Sequence, residues 1–390
     1  MNMTKRFLVA MLVVAFGLST AFAEDTGINV VPHQDDFSVT HIGQMQNGHF
    51  LLTGETGDPM DSSGMMLCVD TNGAILWSLQ DNKKYPSELY RTAEWLDDEK
   101  VLALREPGDG NSDSWVIDFV EQGKILRHTK PMKTVLGVYP VSDGFLVNSQ
   151  PKPHRPRITR MNGAGKALWH IDWKEWITFN GILTQDGIHY AYGCKRQRTK
   201  RSETPPVGVV IAFDDQGNIL WRHDSAATEE FNDAVWADKG DLVLVGDVEG
   251  SEDASEDNQD HWGHGFVAAY DESGQVWRTD YQFTRGEEKT RTSGSMKSVI
   301  PISDGYLVSA TVNRMHTEMR MLLFDQKGEL QREWNESIGN IYTPQKSKLL
   351  QMGDKSFLIA HGYIKTEGSD EWGSLDGVPI KTVIKEINMP

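Results

Sequence analysis

The sequence predicts an all-β fold, a seven-bladed β-propeller of four-stranded antiparallel blades, and three observations lead there. First, a turn phrase recurs in front of short β-rich runs. Asp214-Asp215-Gln216-Gly217-Asn218-Ile219-Leu220-Trp221 repeats Asp70-Thr71-Asn72-Gly73-Ala74-Ile75-Leu76-Trp77. Further copies run through Gly123, Gly165, Gly274 and Gly328, so the unit is 42 to 57 residues long. That is the size of four short strands with their turns. Second, another phrase, turn residues followed by a β-rich run, occurs seven times, as at Asn47-Gly48-His49-Phe50, Asp143-Gly144-Phe145 and Asp304-Gly305-Tyr306. Third, apolar residues alternate with period two and long helical periodicity is missing, which excludes helix bundles and α/β folds.

The chain opens on residues that do not belong to this pattern. Lys5 and Arg6 precede an apolar stretch from Phe7 to Leu18, and Ala21-Phe22-Ala23 ends it with small residues flanking one large one. This is the form of a secretory signal peptide, 1–23, cut after Ala23 and leaving 24–390 as a single propeller domain. The apolar stretch is too short for a spanning helix, and no other stretch approaches the roughly 20 apolar residues that one needs. No cysteine stands at the cut, so an exported protein without a lipid anchor is expected, periplasmic or secreted.

Each unit then parses as strand A, an Asp/Asn-Gly turn, strand B, a variable loop, strand C, the Gly turn and strand D. The seventh unit supplies only three strands, near 347–352, up to about 362, and 380–387. An open sheet edge is a liability. The strand-like Gly27-Ile28-Asn29-Val30-Val31-Pro32 is therefore expected to close the last blade as its outer strand, beside Val383 to Ile387.

The formal net charge is -17, and removal of Lys5 and Arg6 makes the remainder more acidic. Nucleic acid and anionic membrane surfaces need a basic footprint, so neither is an expected partner. Cys68 and Cys194 are the only cysteines. They fall in the first and fourth units, too far apart for a disulfide, and read as buried free thiols.

Repeats of the form Asp-x-x-Gly-x-x-x-Trp resemble the tryptophan-motif propellers of the quinoprotein-like superfamily. That group includes pyrroloquinoline-quinone dehydrogenases and the outer-membrane-barrel assembly lipoprotein. The resemblance runs over the whole of 24–390 and implies the fold rather than an activity. It also implies that Trp77, Trp169, Trp221 and Trp277 dock one blade on its neighbour. Arg127 and Gln331 stand at the corresponding positions of the second and sixth units, with Trp334 slightly later. Quinone dehydrogenases of this group use a vicinal cysteine pair, which Cys68 and Cys194 do not supply, so no cofactor is expected. Arylsulfate sulfotransferases, propellers with similar turns, use a catalytic histidine, for which His41 is the one channel candidate.

Strand A of every blade lines a propeller's channel. Counting seven residues back from the last residue of each A–B turn selects His41, Ala93, Gly137, Asn180, Asp233, Ser298 and Lys348, all small or polar. The next layer, with Trp95, Tyr139, Ile182 and Leu350, is mostly apolar, while Arg91 and Lys346 lie two residues earlier than the polar layer. A ligand-binding ring of His41, Arg91, Asn180, Asp233, Ser298 and Lys348 is one expectation; a water-filled channel is the other. The B–C loop of the fourth unit carries Lys195, Arg196, Arg198, Lys200 and Arg201, a candidate partner-binding loop or simply a solvated run. The matching loop of the fifth carries Asp257, Asp260, His261 and His264, a speculative cation site without the spaced carboxylates of a calcium loop.

No nucleophile elbow, zinc-protease helix or phosphate loop occurs. The sequence therefore favours a non-catalytic binding or scaffold protein, monomeric, recognising a protein or glycan through one face or the channel mouth. The alternative is a propeller enzyme, a quinone-dependent oxidoreductase or a transferase or lyase acting at the channel.

Overall fold

The computed structural model describes residues 28–30, 38–44, 49–56, 63–70, 74–80, 89–97, 99–107, 114–153, 155–196, 205–225, 228–237, 240–248, 264–285, 290–292, 294–312, 318–336, 341–352, 355–364 and 380–387. These form seven four-stranded antiparallel sheets and one small hairpin. Within six of the sheets the strands follow chain order, so those blades are meanders. Blade 1 runs from Ser38–Gln44 to Ile75–Gln80, and blade 4 from Ile177–Gln185 to Ile219–Asp224. Blade 7 contains Ile341–Met352, Lys355–Ile364 and Ile380–Ile387, and Ile28–Val30 pairs with the last of these, Asn29 opposite Val383.

The repeated turn has a plain cause. Asp214 Oδ1 accepts the backbone N–H groups of Gln216 (2.9 Å) and Asn218 (2.8 Å), and Gly217 turns the chain at φ 82°. Asp325 does the same for Lys327 and Glu329, with Gly328 at φ 80°. A residue with a Cβ is disfavoured at such φ values. The Asn218 amide and these backbone donors hold the Asp214 carboxyl below its ordinary pKa. The three-residue loop with Gly217 in the left-handed region is the G1-bulge hairpin form, and a separate register shift follows in the next strand, as between Ala212 and Phe213.

The same glycines receive the neighbouring blade. A Cβ on Gly328 would lie 2.2 Å from the Trp277 ring of blade 5, and one on Gly217 would lie 3.0 Å from the Trp169 ring of blade 3. Gly123 sits likewise against Trp77. Trp169 adds a hydrogen bond from Nε1 to the carbonyl of Asp215, 2.7 Å. Where the tryptophan is missing, blade 2 uses Arg127, which donates to the carbonyls of Gly163 and Ala164 and stacks 3.5 Å above the Phe119 ring. Blade 4 departs from the expected docking. Trp221 packs on Tyr190 and His223, and it is His223 that meets the carbonyl of Glu272 in the next turn.

Period-two alternation does not hold in the middle of the blades. Strands B and C show continuous buried runs, as in Val207–Asp214, because each blade is covered on both faces by its neighbours. The core is accordingly divided into clusters lying at the seams between blades, such as Val243, Val267, Phe283, Met296, Val308 and Phe324 between blades 5 and 6. Cys68 and Cys194 lie inside this packing as free thiols, and burial pushes their pKa values up to about 12 and about 11.

The Arg127 contact sets an expectation. Arg127→Ala should lower stability by about 1–2 kcal/mol, the sum of an exposed cation–π contact and hydrogen bonds at a rim. Urea unfolding checks this, and an unchanged midpoint would show that the blade 2–3 seam does not use it.

Candidate functional site

The seven A strands surround a cavity of about 1310 Å³. Its shape depends on a β-bulge near the start of each A strand. The register shifts between Val39 and His41, Tyr90 and Thr92, Val135 and Gly137, Phe179 and Gly181, Phe231 and Asp233, and Met296 and Ser298. Blade 7 has two shifts, the second between Pro344 and Lys346. A bulge leaves one residue without a ladder partner and re-aims it. Here the bulged residues include Arg91, Asn180, Asn232 and Lys297, and all four line the cavity.

His41, Arg91, Asn180, Asp233, Ser298 and Lys348 all lie in the cavity wall, but the turn-based count does not select one ring of equivalent positions. The residue after the bulge is Thr92 in blade 2 and Gly181 in blade 4, one away from Ala93 and Asn180. In blade 7 that residue is Lys346, two before Lys348. The A–B turns differ in length, so a count from the turn slips where a count from the bulge does not.

Most of these polar groups hold blades together. Asn180 donates to the carbonyl of Phe231 (2.8 Å), and its equivalent Asn232 donates to that of Met296 (2.8 Å). Asn148, in strand B of blade 3, donates to the carbonyl of Phe179 at 3.1 Å. Each clasp therefore ties one blade to the backbone just before the next blade's bulge. Asp233 spans three blades. It accepts from the Tyr192 hydroxyl (3.2 Å), the Ser298 hydroxyl (2.7 Å) and the Val299 N–H (3.0 Å). His41 pairs with Glu94 of blade 2, Nε2 to Oε1 3.0 Å.

Two tyrosines fill the wall where strand A has glycine. A Cβ at Gly137 would lie 2.5 Å from the Tyr139 hydroxyl, and one at Gly181 would lie 2.1 Å from that of Tyr192. Burial, and then the nearby Asp233, pushes the Tyr192 phenol well above its ordinary pKa, and burial raises that of Tyr139. Behind them Asp247 accepts from Asn232, Ser295 and the Met296 N–H; burial raises its pKa against the pull of those donors. Glu94, Tyr192, Asn232 and Lys297 escape a reading by turn phrases. The bulge that turns Asn232 and Lys297 into the cavity leaves no mark in the hydrophobic pattern.

The described residues among the other candidates, Lys195, Arg196 and His264, fall outside the cavity. Lys195 pairs with Asp224 (2.5 Å), and Arg196 pairs with Glu230 of blade 5 (3.3 Å), so both are engaged within the chain. Arg198, Lys200 and Arg201 lie outside the described residues, as do Asp257, Asp260 and His261. His264 stands 3.7 Å from Asp280. No group of three metal-ligating side chains comes together among the described residues. Cys68 lies in strand C of blade 1 and Cys194 in strand B of blade 4, both buried, so neither is part of the vicinal pair a quinone site of this kind uses.

One titratable network borders the cavity. Thr184, in its wall, meets His189 Nδ1 at 2.9 Å, and His189 Nε2 meets Asp215 Oδ1 at 3.0 Å. His189 is fully buried, and burial lowers its pKa although Asp215 and Asp214 pull the other way; Arg160 lowers it further. The unfolded chain thus takes up this proton more readily than the folded one, and stability is lost as pH falls below about 6.5, the ordinary histidine value. Wild type should lose stability between about pH 6.5 and 5, and His189→Gln should lose less over that range. Denaturation midpoints across pH 5–8 check this, and parallel curves would contradict it.

Comparison with known proteins adds the fold and no more. No protein-family profile and no curated protein matches the chain. Among solved structures, the polysaccharide lyase Uly1 is similar over 96% of this chain and 95% of its own, with 10% identity and a TM-score of 0.53. The dihydro-heme d1 dehydrogenase NirN, in complex with DHE, matches over 98% of this chain and 85% of its own at 11% identity, TM-score 0.49. KlHsv2 with loop 6CD replaced by a Gly-Ser linker matches over 91% of this chain and all of its own at 10% identity, TM-score 0.47.

Proposed function

We propose that the protein is an exported, non-catalytic binding propeller that takes a hydrophilic ligand of oligosaccharide size into its central channel. The observation that carries this reading is the cavity itself, about 1310 Å³ with polar groups contributed by all seven blades. Ligand sites usually measure about 300–1,000 Å³ and are mainly apolar. A larger channel, whose wall mixes polar groups with apolar side chains such as Leu136 and Val138, suits a hydrated, hydroxyl-rich chain better than a peptide anchored by buried aromatic side chains. Export rests on Lys5, Arg6, the apolar 7–18 and Ala21-Phe22-Ala23. Kinship with the tryptophan-motif propellers rests on the repeated turns and on Trp77, Trp169 and Trp277 at the seams.

A second reading has one observation in its favour. His41 is half-buried in the channel and held by Glu94, an orientation that a general base of a transferase or lyase would need. Both readings are tested together by equilibrium binding to a panel of neutral and acidic oligosaccharides, with mass spectrometry of the recovered sugars. The binding reading predicts saturable 1:1 binding and unchanged sugars. Leu136 lines the channel and is 37% exposed, so Leu136→Trp narrows the passage without entering a core. It should weaken binding at least about tenfold with no change in melting. Cleaved or transferred sugars would favour the enzyme, and equal binding by Leu136→Trp would remove the ligand from the channel.

A further inference from the structure

The charges of the channel wall do not balance within the protein. Glu94 is paired with His41, and Asp233 is saturated by three donors from its own and neighbouring blades. Arg91 is paired with Glu106. Two cations of the wall, Lys297 in blade 6 and Lys348 in blade 7, make no hydrogen bond or close ion pair among the described residues, although Lys297 feels the Asp247 carboxylate from a longer distance. They belong to adjacent blades, and the A strands that carry them pack against each other. The carboxylates of the wall are thus engaged within the protein, whereas the blade 6–7 seam carries two ammonium groups without a close counter-ion among the described residues.

We propose that this seam is an oxyanion site, and that the channel ligand carries a carboxylate or sulfate which Lys297 and Lys348 hold. The inference rests on the channel reading given above and adds the charge of the ligand. Ammonium groups bind oxyanions as point charges from rotatable donors. The surrounding protein is strongly acidic, with a formal charge of -17, so a cationic spot at this place is local and selects among ligands. An acidic sugar, such as a uronate or a sulfated residue, has both the hydroxyls for the polar wall and the anion for the seam.

The test compares trigalacturonate, the neutral galactotriose and inorganic sulfate by titration calorimetry on the intact protein. Trigalacturonate should bind at least tenfold more tightly than galactotriose, and its affinity should fall as salt rises from 50 to 300 mM. Lys297→Ala/Lys348→Ala should erase that difference while leaving neutral binding and melting as they were. Lys297→Glu should reverse the preference. Competition by millimolar sulfate would show that the seam recognises the oxyanion alone; failure of sulfate to compete, with trigalacturonate still preferred, would assign the recognition to the acidic sugar. Equal binding of acidic and neutral sugars, or indifference to the lysine substitutions, overturns the oxyanion site and leaves the channel reading standing. Absence of binding by every sugar overturns the channel reading itself.

Discussion

An aromatic ring seated on a glycine of the next blade is the contact on which the rest of this structure depends. Gly328, Gly217 and Gly123 are held to glycine twice over. Their positive φ closes the C–D hairpin, and the space a Cβ would take is filled by Trp277 or Trp169, or at Gly123 by the Ser78 carbonyl beside Trp77. The hairpin that builds one blade is therefore also the socket for its neighbour. Because the ring is closed, an error at one seam would be carried to the others, and the sockets fix the spacing of all the A strands around the axis. Blade 2, which lacks the tryptophan, and blade 4, whose Trp221 packs on Tyr190 and His223, reach the carbonyls of the next turn through Arg127 and His223.

At the inner radius the same docking brings bulged strands face to face. There the seams are polar, and Asn148, Asn180, Asn232 and Asp233 carry the ties. A polar channel thus has a structural cause through most of its circumference. What distinguishes a binding wall from a merely hydrated one is the place where the ties stop. Blade 7 differs from the rest in having two register shifts in strand A, and it is at its seam with blade 6 that Lys297 and Lys348 lie in the wall without a close counter-ion among the described residues.

Much of the fold was legible because turn chemistry is local. Asp214 and Gly217 reveal the hairpin in their own sequence, and counting such phrases counts blades. The buried central strands were less legible, since coverage by two neighbours replaces alternation with continuous apolar runs. The channel was readable only to its general composition. His41, Asp233 and Ser298 follow their bulges as the count from the turns expects, while Ala93, Asn180 and Lys348 do not, because turn length varies between blades. Pairings such as His41 with Glu94 or Tyr192 with Asp233 join residues 53 and 41 positions apart, and no local pattern encodes them.

The claim that seams set the ring is tested most directly by a double-mutant cycle at Trp277 and Gly328. In the wild-type background Gly328→Ala should cost about 3 kcal/mol, a backbone penalty of about 1–2 kcal/mol plus the displacement of the indole. In the Trp277→Ala background only the backbone penalty should remain, giving a coupling of at least about 1 kcal/mol by urea unfolding. An identical cost in both backgrounds would show that the glycine serves its own hairpin alone and that the ring is set elsewhere.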